Sequence, residues 1–442
     1  MRKDLTEGSV TGSMLLFAVP MILGNLLQQC YNLADAWIVG RYIDGEALAA
    51  VGSSFTLMTF LTSILIGLCM GSGAFFSICF GKKDEKSMKE GFVASFLLIG
   101  IVTVILNVAV FLLRDEIKTL LSVPDEVWDE MRAYLSVIFL GIAATFLYNY
   151  FASLLRAVGN SAVPLIFLAI SAVLNIALDF YCILVLEKGV VGAAAATVVS
   201  QYISAFGLAL YTWFGFPSLR IGREHLRVRA RHIREITSFS FLTCVQQSVM
   251  NFGILMVQGL VNSFGTAVMT AFAAAVKIDA FAYMPVQDFG NAFSTFIAQN
   301  YGAGRSDRIR KGVKSAVLTA TVFSIFVSAI VFLLARPLLG IFIDASETAV
   351  LDIGVRYLRI EGAFYVGIGL LFLLYGLFRA MARPGFSVIL TVISLGTRVL
   401  LAYTLAPIFG VTAIWWAIPI GWALADLAGF AYYFFKKHSL IA

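Results

Sequence analysis

The chain has 442 residues, of which 60% are hydrophobic and only 13% are charged, and its mean hydropathy is +0.90. A soluble domain is close to half apolar and a quarter charged, so this composition excludes an ordinary soluble protein and predicts a polytopic membrane protein. The net charge of +6 would favour nucleic-acid binding in a soluble protein. Here membrane topology explains the basic residues, and we expect no nucleic-acid partner.

Hydropathy predicts an all-α integral membrane protein with about twelve transmembrane helices. The predicted spans are 14–39, 50–80, 92–113, 132–155, 162–186, 190–215, 236–262, 269–301, 315–335, 353–378, 386–408 and 411–435. The polar start has no cleavage site, so we expect the first span to be retained.

The connecting segments predict the orientation of the spans. If the N-terminus is cytoplasmic, most of the 32 Lys and Arg residues fall in cytoplasmic segments, as the positive-inside rule requires. We therefore expect a multi-pass protein of a bacterial-type plasma membrane with both termini in the cytoplasm. The Arg-rich run 220–234 is interpreted as topogenic and as a contact for membrane lipids.

An internal repeat divides the chain into two halves. FGKKDEKSMKEG after the second span matches YGAGRSDRIRKG after the eighth, and LLRAVGN matches LFRAMAR. The repeat predicts two pseudo-symmetric six-helix lobes, 1–218 and 219–442, joined by a basic cytoplasmic linker at about 216–235. An even number of spans gives both lobes one orientation, with the pseudo-twofold axis along the membrane normal, an arrangement found in secondary transporters.

Polar residues within the spans of the first half form the first candidate site. Asn175 and Asp179 lie on one face of the fifth span, Asp35 lies near the end of the first span, and Thr197 lies in the sixth. An intramembrane carboxylate is costly and marks an ion or proton pathway by default. Carboxylate, amide and hydroxyl oxygens suit Na⁺ as hard ligands, and paired acids equally carry protons. Alternatively, Asp35 caps or snorkels at the outer membrane edge and Thr197 is an ordinary packing residue.

The repeat makes this polar set specific to the first half. With the offset of 223 set by the LLRAVGN and LFRAMAR motifs, Asn175 aligns with Arg398 and Asp179 with Ala402. A scaffold should match between halves, whereas a site needed once need not. Arg398 requires an acidic or carbonyl partner inside the membrane, and Asp426 has no assigned role.

A second polar set is a candidate lining of a substrate cavity. It includes Gln28 and Asn32 of the first span, which share a helical face with Asp35. Its other members are Gln258, Lys277, Asp279, Phe281, Tyr283, Met284 and Asp288. These residues line a cavity or stabilise their lobe, and the sequence leaves both interpretations open.

Several function classes are disfavoured by what the sequence lacks. The five Cys residues sit in apolar runs without a CxxC pair, and the three His residues cannot form an intramembrane metal cluster. Phosphate-binding loops and nucleophile motifs are missing, so we expect neither an enzyme nor an organic cofactor. A receptor would need a larger extramembrane domain, and a major-facilitator transporter is matched only loosely by one loop.

Three segments carry a family resemblance: LLFAVPMILGNLLQQCYNLADAWIVG, LRAVGNSAVP with VLNIALD, and STFIAQNYGAGR. Over essentially its whole length the chain resembles the multidrug and toxic compound extrusion (MATE) family, on its DinF-like side. The resemblance implies a V-shaped pair of six-helix bundles and cation-coupled export of organic, often cationic, drugs.

The same resemblance implies a set of coupling residues. It carries the DinF-like coupling site onto Asp35, Asn175, Asp179 and Thr197, which would also be the Na⁺ ligands if coupling uses sodium. Asn149 is the candidate for a further Asn on the fourth span. The NorM-type acid of the tenth span has only Glu361, near that span's start, as its counterpart.

These observations together predict a monomeric secondary active multidrug efflux transporter. It would exchange H⁺ or Na⁺ for organic cations by alternating access, with the coupling ion as its sole cofactor. The alternative is a flippase or exporter of a lipid precursor or another endogenous metabolite in the same superfamily. A lipid flippase would need a strongly cationic cavity, for which only Lys277 and Arg398 are available within the spans.

Overall fold

The computed structural model describes residues 4–43, 45–113, 116–118, 125–226 and 229–441. Within these ranges the chain is helical and contains no β-strand. The helices of the first half are α1 (Val10–Tyr42), α2 (Gly45–Gly81), α3 (Glu85–Leu112), α4 (Asp125–Ile138), α5 (Ile142–Ala157), α6 (Ala162–Phe180) and α7 (Gly189–Gly215). Those of the second half are α8 (Ala230–Asn262), α9 (Thr266–Gly302), α10 (Ser306–Leu333), α11 (Ala335–Leu339), α12 (Thr348–Gly362), α13 (Tyr365–Ala380), α14 (Pro384–Phe409) and α15 (Val411–Ile441).

The number of membrane-spanning segments agrees with the sequence. In the described ranges, 11 helices are long and apolar enough to cross a bilayer, and α12 with α13 brings the number to 12. The all-α class and the prediction of about twelve spans are therefore confirmed.

The tenth span is broken where the sequence predicted one segment. Helices α12 and α13 meet at an angle of 50°, with the break at Ala363 and Phe364. The fourth span is interrupted at the matching place, because α4 passes into a short 3₁₀ turn, Phe139–Gly141, before α5 begins. Irregular backbone at membrane depth is tolerated where it is buried in protein or lines a cavity. We therefore expect both breaks to face the protein interior or a cavity and not the lipid.

The two halves repeat their packing as well as their sequence. A side chain at Gly91 would collide with the ring of Phe75, and one at Gly312 would collide with the ring of Phe296 in the same way. Each member of the second pair lies 221 residues after its counterpart, since 312 − 91 and 296 − 75 are equal. The glycines let one helix lie directly against an aromatic ring on its neighbour, and the repeat preserves that contact.

Contacts between residues divide the chain into two compact units. The first contains Leu23–Cys244, and the second contains Leu5–Ile22 with Val245–Ala442. Relative to the sequence boundary at 218, segments 5–22 and 219–244 belong to the opposite unit. The reason is that α1 and α8 are each 33 residues long, so each contributes residues to both units.

The N-terminal segment is anchored within the second unit. Leu5 is fully buried, its backbone N–H donates to Gln299, and its carbonyl accepts from the side-chain amide of Asn300 at 3.1 Å. Arg308 donates to the carbonyls of Leu5, Glu7 and Gly8. These bonds hold the start of the chain against α9 and α10 before α1 begins.

Gly421 permits the close approach of α14 and α15. A Cβ atom there would collide with the carbonyl oxygen of Ser394, whereas a Cβ at Gly396 on α14 would meet only Val392, at 4.0 Å. We expect Gly421→Ala to lower the free energy of unfolding by about 1–3 kcal/mol through overpacking. Gly396→Ala should be neutral or slightly stabilising, since Ala is the better helix former. Thermal unfolding of the purified protein in detergent measures both, and equal melting temperatures would contradict the close packing.

Candidate functional site

Three helices of the first unit bring a polar cluster together inside an apolar lobe. Asp35 comes from α1, Asn175 and Asp179 from α6, and Thr197 from α7. Asp179 is fully buried and Asn175 is 2% exposed. The side-chain amide of Asn175 donates to the hydroxyl of Thr197 at 3.2 Å, so α6 and α7 are joined at this level. The four residues chosen from the sequence therefore lie in one cluster.

The two carboxyl groups of this cluster have neither a basic partner nor a full set of hydrogen bonds among the described residues. Asp35 and Asp179 interact with each other, and no basic side chain of the described residues contributes to the field at either. Both oxygens of Asp179 are buried without a hydrogen-bond partner, as are one oxygen of Asp35 and the amide oxygen of Asn175. Buried polar atoms are normally hydrogen-bonded, so unpaired oxygens converging in one place indicate a site for a small cation or a proton.

The surroundings of the carboxyl pair include residues that sequence reasoning missed. Tyr31 and Tyr134 lie close enough to interact with both carboxyls, and Tyr31 is also paired with Gln201. Tyr31 lies four residues before Asp35, and Gln201 four residues after Thr197, so helical spacing is a signal for both. Tyr134, on α4, is not at helical spacing from any other site residue, and it reaches the carboxyl pair only through the packing of α4.

The backbone changes its winding directly after Asp179. Helix α6 passes into a π-helical turn, Tyr181–Val185. Such single turns are rare and occur frequently at functional sites, where they alter the direction of nearby side chains. Here the turn begins two residues after the acid.

The other candidates in the first unit differ in their relation to the carboxyl pair. Gln28 is paired with Tyr31, which lies beside the pair, although Gln28 is exposed overall, and Asn32 is half-buried on the same helix. Asn149 donates its side-chain amide to the carbonyl of Thr145, one turn earlier on α5, at 2.9 Å. Its described hydrogen bond therefore joins it to its own helix, and its role in coupling stays a prediction.

The second unit contains a separate buried acid pair, Asp279 on α9 and Glu361 at the end of α12. They are 2% and 4% exposed. The hydroxyl of Tyr365 donates to Asp279, and Tyr357 lies beside both acids. One oxygen of each acid is buried without a hydrogen-bond partner.

Sequence reasoning missed the pairing of these two acids. Tyr357, Glu361 and Tyr365 are spaced by four, but the break between α12 and α13 lies inside that series, so helical spacing alone does not place the three on one face. The positive charge of Arg398 acts on both acids, but no hydrogen bond or ion pair joins Arg398 to either of them in the described residues, so the partner that the sequence required for Arg398 stays a prediction.

Of the remaining candidates of the second unit, Tyr283 lies near enough to interact with Asp279 and Glu361. Lys277 is exposed, with its ammonium group 5.6 Å from the ring centre of Phe342. Phe281 is 48% exposed, and the side-chain amide of Gln258 donates to Asn262 at 2.8 Å. Tyr283 and Met284 are half-buried, and Asp288 is 3% exposed.

Comparison with known proteins adds evidence to this geometry. The MatE family model matches residues 20–181 and 240–404, which is well over half of the chain. The chain belongs to the MATE family. The first matched segment contains Asp35 and Asp179, and the second contains Asp279 and Glu361. The multi-pass helical fold is that of the family. The DinF-like branch assignment stays a prediction.

Relatives of this MATE protein cover nearly its whole length. It is 28% identical to the probable multidrug resistance protein YpnP of Bacillus subtilis (strain 168), over 97% of this chain and 96% of the relative. It is 24% identical to the multidrug export protein MepA of Staphylococcus saprophyticus, over 96% and 93%. A solved MOP superfamily transporter from Pyrococcus furiosus Vc1 matches with a TM-score of 0.91 at 22% identity, covering 99% and 98% of the two chains. At that identity the match supports the fold alone.

The unpaired oxygens of Asp179 predict a gain in stability when the charge is removed. Asp179→Asn keeps the shape of the side chain and replaces a buried acid that faces another acid. We expect it to increase the free energy of unfolding by about 1–3 kcal/mol, the usual cost of an uncompensated buried polar group. Melting temperatures of the purified variants provide the measurement.

Asp352→Asn is the control for that measurement. Asp352 is exposed and pairs with Arg336 at 2.9 Å on the surface, so its loss should change stability little. A lower melting temperature for Asp179→Asn than for this control would show that Asp179 is compensated in the folded protein.

Proposed function

We propose that this MATE protein is a secondary active multidrug efflux transporter that exchanges H⁺ or Na⁺ for organic, often cationic, compounds. The observation that carries the proposal is the carboxyl pair of Asp35 and Asp179, which lies in an apolar lobe with three of its four oxygens buried and unpaired and without a basic partner among the described residues. A mobile cation that binds there compensates the negative charge of the carboxylates. When it dissociates, the uncompensated carboxylates destabilise that conformation of the lobe, so the loaded and empty sites favour different conformations.

The coupling step follows from where the pair is attached. Asp35 belongs to α1, whereas Asp179 and Asn175 belong to α6, so a cation bound between them changes how α1 packs on its own lobe. A ligand shifts a conformational equilibrium only by its differential affinity for the two states. We infer that the loaded and empty sites favour different positions of α1, and that this difference drives alternating access.

The substrate class rests on the relatives and on charge. The printed names of YpnP and MepA describe multidrug resistance and multidrug export. Acids in both units would favour a cationic compound over an anionic one. We propose that the protein acts as a monomer in the plasma membrane with both termini cytoplasmic.

Efflux of a fluorescent organic cation from cells provides the test of this function. With an imposed pH or Na⁺ gradient, wild type should export the dye. Asp35→Asn and Asp179→Asn should each reduce gradient-driven export at least tenfold at equal expression, because neither retains an acid pair. The gradient that drives wild type identifies the coupling ion.

Asp426→Asn is the matched control for transport. Asp426 is also a buried carboxyl within a span, 8% exposed, but no second acid among the described residues acts on it. Export should therefore survive this exchange. Undiminished export by Asp179→Asn would refute coupling at the pair, and absence of export under either gradient would shift the proposal to an endogenous substrate such as a lipid precursor.

A further inference from the structure

We propose that the N-terminal segment 5–8 is a fixed anchor that holds the start of α1 in the second unit in every conformation of the protein. Helix α1 then carries the effect of a cation bound at Asp35, in the first unit, to the second unit. This last statement rests on the proposed function, whereas the fixed attachment of the segment does not.

The first observation is the way in which Arg308, on α10, binds the backbone of the segment. Its Nη2 atom donates to the carbonyls of Leu5 and Glu7, both at 3.0 Å. Its Nη1 atom donates to the carbonyl of Gly8 at 2.8 Å. Hydrogen bonds from a charged donor are stronger than neutral ones. Because one guanidinium reaches three carbonyls, it fixes both the position and the direction of the segment.

Two buried amide side chains of α9 complete the attachment. Gln299 accepts the backbone N–H of Leu5 at 3.1 Å. Asn300 donates to the carbonyl of Leu5 and accepts from Nε of Arg308, both at 3.1 Å. Leu5, Gln299 and Asn300 are each 0% exposed. Buried polar groups are normally hydrogen-bonded, so detachment of the segment would remove partners that these amides need and would also expose Leu5. The attached state is therefore strongly favoured.

The internal repeat provides a second observation, because the start of α8 is held at the matching place in the first unit. The Nδ1 atom of His232 lies 2.8 Å from Oε2 of Glu90, and both residues are buried. The ring of His232 meets Phe75 edge-on, with ring centres 6.4 Å apart. The guanidinium carbon of Arg308 lies 5.6 Å from the ring centre of Phe296, the repeat counterpart of Phe75. Both halves thus fix the start of their first helix beside an equivalent ring, although the anchoring residues differ.

The division of α1 between the units gives the anchor its consequence. Leu5–Ile22 belongs to the second unit, and Leu23–Cys244, which contains Asp35, belongs to the first. Val10 and Asp35 are 35 − 10 = 25 residues apart on this one helix, a distance of about 38 Å at the usual helical rise. Since the anchored start does not shift, a change in the position of α1 at Asp35 acts on the second unit through the helix.

Hydrogen exchange measures whether the segment stays attached. The backbone amide of Leu5 should exchange equally slowly at one pH with or without Na⁺, with or without a fluorescent organic cation, and in Asp179→Asn, which has the shape of a protonated acid. Arg308→Ala should speed this exchange by about tenfold or more, because exchange follows local opening. Arg310→Ala is the control, since Arg310 is exposed two residues later on the same helix.

Two results of the exchange measurement would overturn the fixed attachment. One is faster exchange of Leu5 after addition of Na⁺ or the dye, or in Asp179→Asn, because the segment would then detach during the cycle. The other is unchanged exchange in Arg308→Ala, because Arg308 would then not hold the segment.

A disulfide separates an anchor from a gate. The hydroxyls of Thr11 and Ser315 lie 2.6 Å apart, so Cys residues at these positions are close enough to form a disulfide. The background protein has its five native Cys residues replaced by Ala. We expect oxidised Thr11→Cys/Ser315→Cys to export the dye as the background does. Loss of export on oxidation that reduction restores would show that the segment must detach, and the proposal would be wrong.

Release of the segment is expected to have the opposite effect on export. Arg308→Ala should reduce gradient-driven export by about tenfold, within the usual range for coupling between sites. Adding Thr11→Cys and Ser315→Cys to Arg308→Ala should restore export after oxidation but not after reduction. Arg310→Ala should export as the background does. Undiminished export by Arg308→Ala with a released segment, or a failure of the disulfide to restore export, would overturn transmission through α1.

The design also covers a failure to fold and a failure of the proposed function. If Arg308→Ala is recovered only when the disulfide is present, attachment of the segment is what the fold requires, and the anchor is supported. If it is not recovered even then, Arg308 has another role and the proposal is wrong. If the background exports no dye under either gradient, the proposed function fails, whereas the exchange of Leu5 still decides whether the segment is fixed.

Discussion

An unpaired carboxylate inside an apolar helical lobe destabilises that lobe unless another group compensates its charge. The acid pairs of the two units differ in how they are compensated. The pair Asp35 and Asp179 has no basic partner among the described residues, and three of its four oxygens are buried without a hydrogen bond. The pair Asp279 and Glu361 differs, because a tyrosine hydroxyl donates to Asp279 and the positive charge of Arg398 acts on both acids. We propose that a mobile cation or proton compensates the first pair, whereas the second pair is partly compensated by groups of the chain itself.

The internal repeat explains why much of the fold could be predicted from the sequence. A helix span needs about 20 apolar residues, and this requirement is legible in composition alone. The glycine and ring contact of Gly91 with Phe75 recurs in the second half because both halves solve the same packing problem. The first-unit cluster could be found as well, because Asn175 and Asp179 share a helical face and have no equivalent in the second half.

The part that sequence could not supply depends on backbone irregularity and on distant contacts. Glu361 lies at the end of α12, where the chain bends by 50°, and a helical projection drawn through that bend misplaces its neighbours. Tyr134 approaches the first carboxyl pair from α4, and no spacing in the sequence links the two. Both interruptions, in the fourth and tenth spans, also lack a proline or a glycine pair that would have announced them.

The helices shared between the two units have a consequence for how the protein is made. Leu5 bonds to Asn300, which lies 295 residues later in the chain. At a synthesis rate of roughly 5–20 residues per second, the start of α1 waits on the order of 15–60 s for its partner. During that time the ribosome-bound chain holds an inserted first helix whose N-terminal part has nothing in the second unit to pack against. The contact between the N-terminal segment and α9 therefore forms only after the first unit and part of the second have been made.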